Sequence, residues 1–440
     1  EAAAALAVLA ALSLNALNLG LRLVCMAIPP PRPAPAAPTP EGPEVLPAIT
    51  LLVALYREPQ VVASLIAALR ALDWPRERLE VLLALEADDP ETAAAVAAAD
   101  PPPWIRTIVT PPGGPRTKPR ALNHALDFAS GTLIGVYDAE DRPDPAQLRR
   151  AAEAFARGPA ELGCVQARLG FYNAEDGWIA RMFAIEYATW FRVVLPGMAR
   201  LGAPLPLAGT SLFVRRSVLE RLGGWDAWNV TEDADLGIRL ARAGHLTRLI
   251  DSETAEEAVN RPLAWVRQRS RWQKGYLVTW ASHMRAPARL WRELGARGFL
   301  GFQAHFLGAA AAFAGAPLLW LVGLQAGLVD RAWSGLGLSG GWTGWATAGL
   351  FAALLAGQAV TVAAAVLALR RAGMMRLAPW ALTLPLYFPL ATLSALKGLV
   401  EAVAAPVWWD KTRHGLARPS VARSETIRPR CHAPFPVTKP

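Results

Sequence analysis

The chain has 440 residues, 53% of them hydrophobic and 18% charged, with a net charge of +9. Such a length holds one large domain plus further segments, and such apolarity is unusual for a soluble enzyme. Cys25, Cys164 and Cys431 lie too far apart for a disulfide framework or a zinc site, and of 45 basic residues only five are Lys, an Arg-rich excess that favours lipid or phosphate partners over nucleic acid.

Residues 1–28 are almost uninterruptedly apolar, long enough for a transmembrane helix; a signal peptide competes weakly, because no basic n-region precedes the run. A Pro-rich linker follows at 29–47. Residues 48–260 read as an α/β domain. Ile49 to Leu55, Leu79 to Leu85, Trp104 to Thr110 and Leu133 to Tyr137 are strand-like, alternating with helical Val61 to Leu72 and Pro119 to Phe128 and with a helix start at Asp88-Asp89-Pro90-Glu91-Thr92. This alternation predicts a mostly parallel sheet. Leu162 to Arg168 and Ala208 to Val214 read as further strands, and Glu232 to Arg242 as a helix ended by Gly244. No G-x-G-x-x-G follows the first strand, which argues against a dinucleotide dehydrogenase.

Residues 261–298 combine Arg with Trp (Trp265, Arg267, Arg269, Arg271, Trp272, Trp280, Trp291) and are expected to form interfacial amphipathic helices, with indoles at headgroup level. Residues 299–405 are membrane-like: Phe299 to Val329 and Trp342 to Leu369 are each long enough to cross. Leu377 to Ala405 carries Pro379, Pro385, Pro389 and Lys397 and reads either as a crossing or as re-entrant. Arg370, Arg371 and Arg376, and the basic tail 406–440, are expected on the cytoplasmic side.

Four features fall at one edge of the expected sheet, where such folds bind nucleotides. Tyr56-Arg57-Glu58 follows the first strand, and Glu86, Asp88 and Asp89 the second. Lys118-Pro119-Arg120-Ala121-Leu122-Asn123 opens a helix, which suits phosphate, and Asp138-Ala139-Glu140-Asp141 ends the fourth strand. Carboxylates suit base and ribose hydroxyls, and two hard oxygen ligands, Asp138 with Glu140, suffice for Mg²⁺ or Mn²⁺ completed by a diphosphate and water. Thr231-Glu232-Asp233-Ala234-Asp235 reads either as a capped helix start or as the carrier of a general base at Asp233. Gln268, Arg271 and Trp272 share a helix face, suited to phosphate plus a sugar ring, although a basic surface turn has the same composition.

The motifs Asp138-Ala139-Glu140-Asp141, Thr231-Glu232-Asp233 and Gln268-x-x-Arg271-Trp272, together with Lys118 and Ala121-Leu122-Asn123, resemble those of the membrane-bound family 2 glycosyltransferases, in particular the cellulose-synthase-like processive enzymes. The resemblance runs from about Ile49 to Lys274. It implies a GT-A (Rossmann-like) fold, a nucleotide-sugar donor (UDP-glucose favoured), inversion at the anomeric carbon and Mg²⁺ or Mn²⁺. It assigns Tyr56, Glu58, Glu86, Asp88, Lys118, Asn123 and Asp138 to the donor and Asp138 with Glu140 to the metal. Asp233, with Glu232, falls to catalysis, and Gln268, Arg271 and Trp272 to the diphosphate and acceptor.

Three departures stand out: Glu140 replaces the commoner Asp and leaves Glu140 or Asp141 as second ligand; Val53-Ala54-Leu55-Tyr56 lacks a proline; and no gating loop is visible. The stretch after Trp409 is too short for a cyclic-di-GMP-binding barrel, so direct control by that nucleotide is not expected. The expected function is extension of a β-linked exopolysaccharide with export, from a multi-pass position in the plasma (inner) membrane with a cytoplasmic catalytic domain. Its partners are then a glycan acceptor, the bilayer, and export or outer-envelope proteins. The alternatives are transfer of one sugar to a lipid-linked acceptor and a non-catalytic membrane scaffold.

Overall fold

A computed structural model describes residues 2–29, 46–335 and 341–408. Most of the expected linker at 29–47 and of the basic tail at 406–440, with Cys431, lies outside the described residues. The chain opens with helix α1 (Ala2–Ala27). Then come β1 (Ile49–Leu55), α2 (Val62–Arg70), β2 (Leu79–Glu86), α3 (Pro90–Ala98), β3 (Ile105–Thr110), α4 (Lys118–Leu126) and β4 (Leu133–Tyr137). The second half of the sheet region holds β5 (Arg142–Pro143), α5 (Gln147–Ala156), β6 (Leu162–Phe171), α6 (Trp178–Thr189), α7 (Leu195–Leu201), β7 (Leu212–Arg215), α8 (Arg216–Arg221), α9 (Glu232–Arg242) and β8 (Leu246–Glu256). Helices α10 (Pro262–His283), α11 (Pro287–Phe302), α12 (Gly308–Gly335), α13 (Gly341–Ala372), α14 (Ala378–Ala381) and α15 (Leu384–Ala404) complete the described chain.

The sheet runs β3-β2-β1-β4-β7-β6-β8-β5. β3, β2, β1 and β4 are parallel, with Leu51 opposite both Val81 and Gly135. These strands are apolar on both faces because both faces are covered. Leu51 and Val53 pack with Leu65 and Leu69 of α2 and Leu148 and Phe155 of α5. Leu52 and Val136 pack with Leu122 of α4, Val218 of α8 and Leu236 of α9. β7 runs antiparallel to β4 and β6, making the sheet mixed. The strand expected from Ala208 begins only at Leu212, because Ser211 adopts φ 55° and the chain loops over the end of β4.

Helix α6 joins the sheet to the apolar helices. Its Ile179, Met182 and Phe183 pack with Cys25 of α1, Ala365 and Leu369 of α13, Trp265 of α10, and Tyr387 and Ala391 of α15. Among the described residues three helices are long and apolar enough to cross a membrane, Ala10–Ala27, Ala348–Ala372 and Leu384–Ala404. Pro287–Gly315 with Leu319–Gln325, bent by 46°, makes up to four. The crossing expected from Phe299 is thus bent at Pro317 inside α12, while a π-turn at Gln303–Leu307 lies within its first limb. The prolines of the last segment interrupt less than expected: Pro385 sits in the first turn of α15, where no N–H is needed, and Pro389 is held inside the helix.

One face of α10 packs inward, although Leu263 and Arg267 stay exposed. Trp265 is 1% exposed, and Arg269 forms an ion pair with Glu186 of α6 while its guanidinium lies 4.5 Å from the Trp272 ring centre. Trp265, Arg269 and Trp272 there serve packing between the sheet domain and the apolar helices. Exposed Trp291 with Arg289 and Arg292 on α11 retains the amphipathic pattern.

Candidate active site

The strand order places the ends of β1, β2 and β4 side by side, and a cavity of about 480 Å³ opens there. Tyr56, Glu58, Glu86, Lys118, Asp138, Glu140, Glu232, Asp233, Gln268, Arg271 and Trp272 all line it, although they are spread over more than 200 positions of sequence. Two expected members do not. Asn123 spends both ends of its amide on Trp225, donating to its carbonyl at 2.7 Å and accepting from its N–H at 2.9 Å, so it fastens the loop before α9. Asp88 stands beside the cavity, accepting from Arg116 at 2.6 Å and from the Tyr56 hydroxyl at 3.4 Å. Asp89 caps α3, accepting from Thr92 N at 3.2 Å.

At the end of β4 the acids separate by role. Asp141 is 2% exposed; its Oδ2 accepts from the Asp138 N–H at 2.8 Å and from the Thr210 hydroxyl, closing the turn. Asp138 and Glu140 face the cavity, which favours Glu140 over Asp141 as second ligand. Lys118 forms an ion pair with Asp138 and donates to the Gly209 carbonyl at 2.7 Å. Burial opposes the Lys118 charge, but Asp138 and Glu232 outweigh it and raise its value.

Among the described residues no three His, Cys, Asp or Glu converge as a ready-made metal site. The donor set nevertheless fits a divalent cation that takes its other ligands from a substrate. Burial and the charges of Asp138 and Glu140 push the Asp141 carboxyl well up, and burial with Asp141, Asp138 and Glu140 does so at Glu256. Asp141 Oδ1 is buried with no hydrogen-bond partner. The cluster is overloaded with negative charge, the condition a hard cation relieves.

The Thr231-Glu232-Asp233 turn is set by tertiary contacts. The Thr231 side chain makes no cap hydrogen bond, contrary to expectation. Instead Asn229 accepts from the Thr231 N–H at 3.0 Å and donates to Thr279 of α10 at 2.8 Å. Glu232 is 4% exposed, and burial, then the charge of Asp233, push its carboxyl up to about 8. Asp233 is also raised, chiefly by burial and against the pull of the Ala234 N–H, Lys118 and Arg271. Asp235 is engaged elsewhere: it accepts from Arg239 at 2.6 Å and lies 3.0 Å from His283 Nε2. Gly209 fits between the reactive groups; a Cβ there would lie 3.2 Å from Asp233 Oδ2 and 3.5 Å from Lys118 Nζ.

From α10, Arg271 donates to the Val230 carbonyl at 3.1 Å. Burial lowers its value against the attraction of Glu232, Asp233 and Asp138. Gln268 Oε1 is buried without a partner. Trp272 packs among Phe183 and Tyr187, with Arg269 over one face. Sequence reasoning missed Gly209, Thr210, Glu256 and the Glu186–Arg269 pair. Gly209, Thr210, Glu256 and Glu186 lie in segments with no local motif, and the pairing of Arg269 with Glu186 is made only by the crossing of the chain.

Acids, a lysine and a guanidinium thus gather at the strand ends of a mixed α/β sheet that packs against long apolar helices. The family described as Glycosyl transferase family group 2 matches residues 133–395, and the chain belongs to it. The chain is 31% identical over 288 residues to a beta-monoglucosyldiacylglycerol synthase from Synechocystis sp., covering 61% of this chain and 56% of that one. It is 26% identical over 248 residues to cellulose synthase 1 of Komagataeibacter xylinus, covering 54% and 15%. The chain spans about half the length, or less, of the curated relatives it matches. A mannosyltransferase from Pyrobaculum calidifontis, solved with GDP-Man and Mn²⁺, shares the GT-A-like fold, with TM-score 0.55, 20% identity, and 89% of this chain and 99% of that one covered.

Proposed function

We propose that the chain transfers a hexosyl group from a nucleoside diphosphate sugar to an acceptor hydroxyl with inversion, at a membrane surface. The observation that carries this reading is the meeting of Lys118, Asp138, Glu140, Asp233 and Arg271 in one cavity at the strand ends. Tyr56, Glu58 and Glu86 hold the nucleoside end. Lys118 and Arg271 face the diphosphate. Asp138 and Glu140 hold Mg²⁺ or Mn²⁺, which supplies positive charge against the departing diphosphate. Asp233 takes the acceptor proton, because a carboxylate raised moderately by burial is the better base. Glu232, with its proton retained near neutral pH, shapes the wall beside it.

UDP-glucose is the first donor to test. The mannosyltransferase solved with GDP-Man makes that sugar nucleotide the second. Processive extension of a glycan with export, and a cytoplasmic face for the catalytic domain, belong to this reading as its polymer form, supported by the aromatic lining at Trp272. The synthase relative named for a glucosyl lipid supports the second form, transfer to a lipid acceptor. In either form α11 lies along the membrane surface, a reading supported by exposed Trp291 with Arg289 and Arg292.

The test is release of UDP, and incorporation of label from UDP-glucose, by the purified chain in lipid nanodiscs. Activity is expected to need Mg²⁺ or Mn²⁺ and to be abolished by Asp138→Ala with the fold intact by circular dichroism. Full turnover in excess EDTA overturns the metal assignment.

A further inference from the structure

Helix α9 presents Asp233 to the catalytic cavity, and Asp235, two residues on and so about 200° around the helix, lies on the side turned away from it. Asp235, Arg239 and Arg242 follow one another at i, i+4 and i+7, which makes this rear face of α9 charged. It meets the end of α10 and the middle of α11 through one chain of polar contacts. Asp235, 6% exposed, accepts from Arg239 Nε at 2.6 Å and lies 3.0 Å from His283 Nε2. Arg239 also donates to the carbonyls of Leu222 at 3.0 Å and Gly224 at 2.8 Å, in the loop that Asn123 fastens. On the far side of the buried His283 ring, Nδ1 lies 2.7 Å from Arg242 Nη1, and Arg242 Nε donates to Glu293 of α11 at 2.6 Å.

The roles in this chain are fixed by chemistry. A guanidinium can only donate, so Nδ1 accepts from Arg242, and the ring proton sits on Nε2, where it is donated to Asp235. The two neighbours thus hold one tautomer and one ring plane. Phe302 stands edge-on to the ring at 5.9 Å. Burial opposes the Asp235 charge, but the bond from His283 and the charge of Arg239 outweigh it and lower its value. The start of α9 needs such a hold. Thr231 makes no side-chain cap bond, and Gly209 brings no side chain against Asp233. Ala234 and Ile238 pack on Leu290 and Phe302, but apolar packing is non-directional and resists rotation of a helix less than hydrogen bonds do.

We propose that His283 is a positioning residue for the transfer: locked by Arg242, it grips Asp235 and so sets the rotation of α9 that aims Asp233 into the cavity. The inference rests on the reading of Asp233 as the base. His283 does not line the cavity, and Glu58, Glu86, Lys118 and Asp138, assigned to the donor, sit on other elements. Loss of His283 therefore strikes the transfer step and spares donor binding.

The test measures UDP release against UDP-glucose concentration by the full chain in lipid nanodiscs. His283→Phe keeps a flat ring beside Phe302 and loses both polar contacts. Its kcat is expected to fall about 10- to 100-fold, the scale of a misplacement of about 1 Å, with donor KM within about twofold of the parent's. His283→Gln, whose amide donates to Asp235 while its carbonyl accepts from Arg242, is expected to recover kcat to within about threefold of the parent's. Because His283 acts through Asp233, its loss is expected to cost nothing further in an Asp233→Asn background. A merely structural His283 would lower the melting temperature and leave kcat, measured well below melting, unchanged. That result overturns the proposal, as does a raised donor KM or an undiminished fall on Asp233→Asn. Should His283→Phe fail to fold, Arg242→Met, which strips the Nδ1 partner, takes its place with the same expected split and the same overturning results. Full turnover by Asp233→Asn alone sinks the base reading and the role of His283 with it, and leaves the donor reading standing. No UDP release by the parent with any sugar nucleotide sinks all three.

Discussion

At the scale of single residues, Asp233 carries the sharpest expectation. An acceptor hydroxyl is a weak nucleophile until a positioned base draws off its proton. Asp233→Asn keeps the shape and cannot take that proton, so turnover is expected to fall about 100- to 10,000-fold with donor affinity little changed. Turnover within a few-fold of the parent would reduce Asp233 to a helix-start residue. Glu232 gives a separate readout in stability. Its ordinary value is 4.5 and its folded value about 8. A carboxyl raised in the folded state binds its proton more tightly there than in the unfolded chain, so its contribution to stability falls as pH rises from 4.5 to about 8. Glu232→Gln removes that dependence. The variant is expected to match the parent at pH 4 and to melt higher than it at pH 8. Equal melting curves at pH 8 would show that Glu232 ionises freely.

At the scale of elements, the site depends on how closely α10 approaches the turn before α9. Gly275 is the point of contact: a Cβ there would lie 2.3 Å from Thr231 Oγ1. On helix propensity alone Gly275→Ala would stabilise α10 by up to about 1 kcal/mol. Overpacking at a tight contact typically costs about 1–3 kcal/mol. The clash is expected to win, because the nearest atoms belong to a β-branched side chain held by Asn229. Gly275→Ala is therefore expected to lower the melting temperature, and to lower turnover by shifting Glu232 and Asp233 relative to Arg271. A melting temperature at or above the parent's would mean that α10 can slide without consequence for the turn.

For the whole molecule, the arrangement of the apolar helices is fixed by contacts with the sheet domain. Arg371, at the end of α13, donates to the Arg192 carbonyl at 2.9 Å and to the Ile28 carbonyl at 3.2 Å. The end of α1, the end of α13 and the sheet domain thus meet at one level. If α13 crosses the membrane, the turn after it lies on the catalytic side. Cys25 and Cys164 are buried, so a single reporter at Met375, 47% exposed, can read this side in a Cys431→Ser background. Met375→Cys is expected to resist an impermeant thiol reagent in intact cells and to react after permeabilisation. Labelling in intact cells would invert the proposed orientation.

Much of this was legible in the sequence, for a local reason. Buried parallel strands must be apolar throughout, so β1 and β4 are bounded as their runs of Leu, Ile and Val dictate, and the acids that stop β4 mark the ligand edge. Helix α9 likewise begins at Glu232 and ends before Gly244, where left-handed backbone is needed. The sequence could not separate Asp141 from Glu140, because both sit in one turn and only the chain returning at Thr210 buries one of them. Nor could it show that Asn123 belongs to a loop clamp, that Asp235 lies 3.0 Å from His283 Nε2, or that Trp265 and Arg269 of α10 pack inward. Those outcomes depend on partners more than forty positions away. Burial and charge pairing are properties of what surrounds a side chain, and that is decided only when the helices close around the sheet.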